Sequence, residues 1–262
     1  MRIQLLSDLH LETEDFSPRP APGAELLVLG GDIDASWVAF DRFANWPVPV
    51  LMVAGNHEFD DRELRHVWVD LRARCADLGI TLLEQQSTVL TGDDGRRIRF
   101  VGTIRWSDFD LFGDAGRERA MRAAGYFMRI MNATRDGQPF DVAGVREESL
   151  ACRRWLEAEL ARGNPGAAAG GWDATVVITH FGPSLKSADP RYGAAPGTAS
   201  FCNADDDLIS RCDAWLHGHL HCRHDYSVSR AGAKATRVIA QARGLAKKGE
   251  EQGFDPLAVF TV

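Results

Sequence analysis

Short apolar runs, each cut off by a polar cluster, set the rhythm of this chain. Residues 2–7 alternate and then run apolar, the pattern of a strand entering a core. That run ends in Ser7-Asp8-Leu9-His10, a second at 25–29 ends in Gly30-Gly31-Asp32, and a third at 48–53 ends in Ala54-Gly55-Asn56-His57-Glu58. Runs of this kind suit strands buried on both faces of a sheet. Between the second and third, residues 36–45 read as a helix capped by Asp34 or Ser36, and 60–78 as a longer helix stopped by Gly79. The pattern returns late in the chain. Residues 174–178 stop at Thr179-His180-Phe181-Gly182-Pro183, and 213–216 lead into His217-Gly218-His219-Leu220-His221.

The segments between and after these runs complete an α/β chain. Residues 80–84, 87–91 and 97–102 read as strands, the last two joined by a Gly92-Asp93-Asp94-Gly95 turn. Apolar spacing predicts helices over 115–131 and 145–160, and 226–229, 236–240 and 257–262 are expected to close a second layer of sheet. Residues 163–171 read as a flexible loop too short to separate domains, so a single domain over 1–262 is expected. The long segment 184–201 carries Lys186, Arg191 and Tyr192 among glycines and prolines, as binding loops and lids often do.

Composition narrows the function more than the fold. The 262 residues are 45% hydrophobic and 26% charged, ordinary for a globular protein. A net charge of −7 argues against an extended nucleic-acid surface. A nucleotide-like substrate stays compatible, because bound dications reverse the local charge of a site. No stretch approaches the ~20 apolar residues of a membrane helix, and the first apolar run is too short for a signal peptide, so a cytoplasmic location without a membrane partner is expected. Cys75, Cys152, Cys202, Cys212 and Cys222 are odd in number and dispersed, as free thiols are. Cys212 and Cys222 bracket the histidines, but no CxxC pair supports a structural zinc site.

The polar clusters carry the chemistry. Alternate residues of an extended segment share a side, so the late histidines can converge on one point, and imidazole favours borderline transition metals. The bland reading is a surface turn rich in histidine. In open α/β sheets, however, ligands gather beyond the carboxyl ends of strands, and Asp8, His10, Asp32, Asn56, His57, His180, His219 and His221 all follow strand ends.

DLH, GD, GNHE, TH and GHLH, in this order over most of the chain, resemble the calcineurin-like metallophosphoesterase superfamily. The resemblance implies a four-layer αββα sandwich, two mixed β-sheets flanked by helices. It also implies two metal ions, with Asp8, His10, Asp32 and His221 on one, and Asp32, Asn56, His180 and His219 on the other. Asp32 would bridge ions ~3.5–4 Å apart. The mixed oxygen and nitrogen donors suit Mn, with Fe, Zn, Ni or Co as alternatives. The implied reaction is hydrolysis of a phosphate ester by attack of a metal-bridging hydroxide, with His57 as the catalytic residue that protonates the leaving group. Glu58 either orients His57 or caps the following helix.

Other residues weigh less. Arg105, Arg191, Tyr192 and Arg243 are substrate-binding candidates, the arginines because guanidinium binds phosphate in bidentate fashion. His66 reads as surface, His217 as support or core, and His224 as surface or rim. Family members often extend the second motif to GDxxD, whereas Ala35 stands at its last position here, which leaves the surroundings of Asp32 open. The leading expectation is a phosphodiesterase on a small-molecule or nucleotide-like ester. A phosphomonoesterase or phosphoprotein phosphatase is the enzymatic alternative, and a non-catalytic metal-binding scaffold the alternative from another class.

Overall fold

The computed structural model describes residues 1–166 and 170–262; the centre of the expected 163–171 loop lies outside the described residues. Among the described residues thirteen strands appear in chain order: β1 (Arg2–Leu6), β2 (Leu26–Leu29), β3 (Val50–Met52), β4 (Ile80–Leu82), β5 (Gln86–Thr91), β6 (Arg97–Thr103), β7 (Thr134–Arg135), β8 (Gln138–Pro139), β9 (Ala174–Thr179), β10 (Ala214–His217), β11 (Arg223–Arg230), β12 (Ala233–Gln241) and β13 (Val259–Thr261). The α-helices are α1 (Leu64–Asp77), α2 (Asp114–Met131), α3 (Val142–Ala161) and the single turn α4 (Asp206–Ile209). Two large sheets result, one ordered β13-β1-β2-β3-β4 and the other β11-β12-β10-β9-β6-β5. Both are mixed, because β13 runs antiparallel to β1, β11 to β12, and β5 to β6, while the interior pairs are parallel.

The apolar runs explain the layering. In the first sheet Ile3, Leu5, Leu26, Val28, Leu51 and Val53 face the second sheet, where Ile98, Phe100, Val176, Ile178, Leu216 and Ile239 meet them. The alternate residues Leu6, Leu27, Leu29 and Met52 point outward into a core shared with Leu64, Val67, Leu71 and Cys75 of α1. On the far side Val101, Val177, Trp215 and Val238 lie under Leu156 and Leu160 of α3. Each central strand therefore buries both faces, as its unbroken hydrophobicity requires. The architecture is an αββα sandwich, as expected.

Several expectations shift. The 36–45 segment forms a 3₁₀ helix at Val38–Phe43, with Asp34 accepting from the amides of Ser36 at 2.9 Å and Ala39 at 2.5 Å. The helix expected over 60–78 begins later, after a 3₁₀ turn at His57–Phe59. The last strand does not join the second layer of sheet. It pairs with β1 in the first, because β1 has an open edge opposite β2. The 184–201 loop contains two 3₁₀ turns, Leu185–Ser187 and Pro196–Ser200. No helix among the described residues is long and apolar enough to cross a membrane.

The carboxyl ends of β1, β2, β3, β9, β10 and β12 lie at one edge of the sandwich, where loop backbone joins the two sheets. Ser7 bridges Ala242 in parallel register. Arg243 donates its amide to Ser7 O at 2.9 Å, and Gly244 to Asp8 O at 3.0 Å. The site is built on this seam.

Away from the seam, Glu84 is buried beside β6, accepting from Ile104 N at 2.8 Å and Thr103 Oγ1 at 3.0 Å. Burial outweighs these hydrogen bonds and pushes its carboxyl up to about 7. A raised folded-state pKa means stability present at low pH and lost as pH rises through about 7. Glu84→Gln is expected to remove ~2–3 kcal/mol of that loss. Urea unfolding from pH 5 to 8 checks it; an unaltered pH slope in the variant refutes it.

Candidate metal centre

Every strand-end group singled out in the sequence, His57 included, arrives at the seam. Asp8, His10, Asp32 and His221 each offer a ligand atom, all within 4.8 Å of one another. Asp32, His180 and His219 form a second such set, so the two share Asp32. Asp32 Oδ2 lies 3.2 Å from His180 Nε2, and Asp8 Oδ1 lies 3.5 Å from His221 Nε2. Asn56 Oδ1 is buried and meets no hydrogen-bond donor among the described residues.

Backbone conformation aims these groups. Asp8, His10, Asp32, His219 and His221 all have left-handed φ, between 46° and 70°. A non-glycine residue in that region costs on the order of 1 kcal/mol or more, and the seam holds the cost in place. Asp8 accepts the His219 amide on both carboxylate oxygens, at 3.0 and 3.1 Å. Asp32 N, Ile33 N and Gly55 N donate to the buried Glu58 carboxylate at 3.0, 2.8 and 2.6 Å. Two glycines make room. A Cβ on Gly55 would overlap Asp32, and one on Gly218 would overlap Ser7 and Asp8.

Carboxylates and carbonyls fix which imidazole nitrogen faces inward. His10 Nδ1 is bonded to Glu12 at 3.1 Å, His221 Nδ1 to Glu250 at 2.6 Å, and His180 Nδ1 to Gly30 O at 2.8 Å. A ring that donates through Nδ1 presents its lone pair at Nε2. The Nε2 atoms of His10 and His221 are 3.1 Å apart, and His180 Nε2 is 3.1 Å from His219 Nδ1. Converging lone pairs beside carboxylates repel unless a positive charge lies among them. Together with the orphan amide oxygen of Asn56, this donor set fits divalent transition metals. Burial disfavours the Glu250 carboxylate, but the hydrogen bonds from His221 and the Leu245 amide, together with the charges of His221 and Lys248, outweigh it and hold the group down at about 2.

His57 stands beside the first set, its ring 5.1 Å from that of His10. It retains 30% side-chain exposure, and its Nδ1 is bonded to Asp60 Oδ2 at 2.7 Å. Burial disfavours its charged form, but Asp32 and Asp60 prevail and push it up to about 10. Glu58 does not orient His57: it is fully buried under the loop amides, and burial with the nearby Asp32 charge pushes it up to about 7. Where the extended motif would place an aspartate, Ala35 donates its amide to Glu12 at 3.1 Å and accepts from Arg62 at 2.8 Å. The amide of His57 holds Asp32 Oδ1 at 2.9 Å.

The arginines divide. Arg105 is 0% exposed and committed to Asp205 at 2.9 Å and Asp108 at 2.7 Å. The expected phosphate contact is corrected there, because its guanidinium has no free face. Arg243 is buried against Glu14 at 2.7 Å. Arg191 is half-exposed, with Asp189 at 2.6 Å and Glu250 at 3.4 Å, and Tyr192 beside it is exposed. His66 is exposed, and His224 sits 3.1 Å from Cys222 Sγ. His217 is core, its Nε2 bonded to Ser187 Oγ at 2.9 Å, and burial pushes it down to about 3. All five cysteines are free.

Glu12, Asp60 and Glu250 were missed in the sequence. Glu12 and Asp60 carry a weak signal, lying two and three residues beyond His10 and His57; Glu250 carries none.

Comparison with known proteins bears on the fold and the family. A solved phosphopantetheinyl hydrolase from Mycobacterium tuberculosis has a similar fold, with a TM-score of 0.65 and 18% identity, covering 96% of this chain and 92% of that one. No curated protein sequence matches the chain. The model of the calcineurin-like phosphoesterase family matches residues 1–223, a span that holds every ligand candidate and His57. The chain belongs to the calcineurin-like phosphoesterase family.

Proposed function

We propose that the two sets hold a dinuclear metal centre and that the protein is a phosphodiesterase acting on small-molecule or nucleotide-like esters. Asp8, His10, Asp32 and His221 would hold one ion, and Asp32, Asn56, His180 and His219 the other, with Mn the leading choice among Mn, Fe, Zn, Ni and Co. The observation that carries this reading is the sharing of Asp32 between two buried ligand sets. Such ions, when bound, supply Lewis-acid activation of water and of phosphoryl oxygens.

The protein's own groups do the rest. Asp60 fixes the His57 ring through Nδ1, which leaves Nε2 to carry a proton to the departing ester oxygen. Glu12 and Glu250 hold their imidazoles in the liganding tautomer. The ligand side chains are nearly all buried, whereas His57 keeps partial exposure, so substrate enters over His57. The half-exposed Arg191 and the exposed Tyr192 are proposed to line that approach. The similar solved structure is named for a phosphopantetheinyl substrate, which places a phosphopantetheinyl ester in the assay panel beside nucleotide esters.

Hydrolysis of bis-p-nitrophenyl phosphate and p-nitrophenyl phosphate by Mn²⁺-loaded protein tests the reaction class. Turnover of the diester in excess is expected; failure on both esters would falsify the reading, and preference for the monoester would make the protein a phosphomonoesterase. His57→Ala should lower kcat by ~10²–10⁴ with metal content unchanged, and loss of metal would instead make His57 a ligand. Glu250→Gln should weaken metal binding ~10–100-fold, read by elemental analysis after dialysis against a chelator. An unchanged metal content there rules out the orienting role.

A further inference from the structure

One aromatic run beside the metal centre is not accounted for by packing. On α2, Ala120, Ala124 and Met131 turn into the core, whereas Tyr126 and Phe127 face solvent at 59% and 39% exposure. The helix lies against the turn Pro196–Ser200. There the Phe127 ring meets Phe201 edge-on, 5.3 Å between centroids at 76°. Phe201 in turn lies 5.0 Å from the His219 imidazole at 35°. Tyr126 extends the run outward, 5.6 Å from Phe127. The rings form a continuous path from solvent to a side chain of the second ligand set. His57 stands by the first set, next to His10.

We propose that Tyr126, Phe127 and Phe201 form a shelf for a flat aromatic substituent, a nucleobase or aryl ring, on the arm of a phosphodiester that stays on phosphorus. The proposal rests on the phosphoesterase reading above. Clustered exposed rings at the margin of a site mark a binding surface, and aromatic rings offer their faces and edges to flat π systems in preference to chains. The two arms of a diester leave phosphorus in different directions. The arm beside His57 departs with its proton, so the arm on the His219 side is the one retained. Tyr126 and Phe127 are then specificity-determining residues and take no part in the chemistry.

Bis-p-nitrophenyl phosphate and methyl p-nitrophenyl phosphate share a leaving group and differ in the retained arm. Mn²⁺-loaded wild-type protein is expected to favour the first by about 10-fold in kcat/KM. Phe127→Ala and Tyr126→Ala should each reduce that preference several-fold through KM, leaving the methyl ester kinetics unchanged, while Phe127→Trp keeps it. Both alanine changes are at exposed positions and leave the ligand sets intact. A preference unmoved in both alanine variants, or an equal loss on both esters, overturns the shelf alone. A wild-type protein that cleaves neither ester removes the phosphoesterase reading itself.

Discussion

The seam between the two sheets is the constraint on which the rest depends. Parallel pairing puts the ends of β1, β2, β9 and β10 at one edge, and the bridge from Ser7 to Ala242 locks the two sheets together there. Side-chain oxygens then accept the backbone amides that the strands no longer pair. Asp8 takes the His219 amide, and Glu58 takes three amides from two loops. Groups that would otherwise repel are thereby held together. The cost of converging imidazoles, carboxylates and left-handed backbone is met by hydrogen bonding along the seam and by apolar burial between the sheets beneath it.

The candidate ligands were legible because of where polarity begins. A carboxylate, amide or imidazole straight after an apolar run has to lie at a strand end, and parallel topology brings strand ends together. The layering was legible for the same reason, since unbroken apolar strands demand cover on both faces. What stayed hidden depends on distance along the chain. The chain has 37 acidic residues, and nothing around Glu250 marks it as the partner of His221. β13 pairs with β1 from the opposite end of the chain, a choice that no local pattern records. Arg105 misled because residue type suggests phosphate, whereas burial beside Asp108 and Asp205 makes it an internal tie.

The surroundings of Asp32 show how one substitution is absorbed. With alanine at position 35, the backbone there is held by Glu12 and Arg62, and the ring of His57 is held by Asp60 from its own loop. Glu12 therefore serves both the tautomer of His10 and the path of the Asp32 loop. A change at Glu12 reaches both ligand sets through different bonds.

Glu250 ties the centre to the order in which the chain is made. The imidazoles of His10 and His221 are 211 residues apart, and the carboxylate that orients His221 lies a further 29 residues on. A ribosome releases Asp8 and His10 long before their partners exist. Contacts of such sequence separation form late in folding, so the first candidate ligand set is complete only after the segments carrying His221 and Glu250 have reached it. Binding an ion there would then be a test of completed folding, passed only when segments 211 residues apart have met.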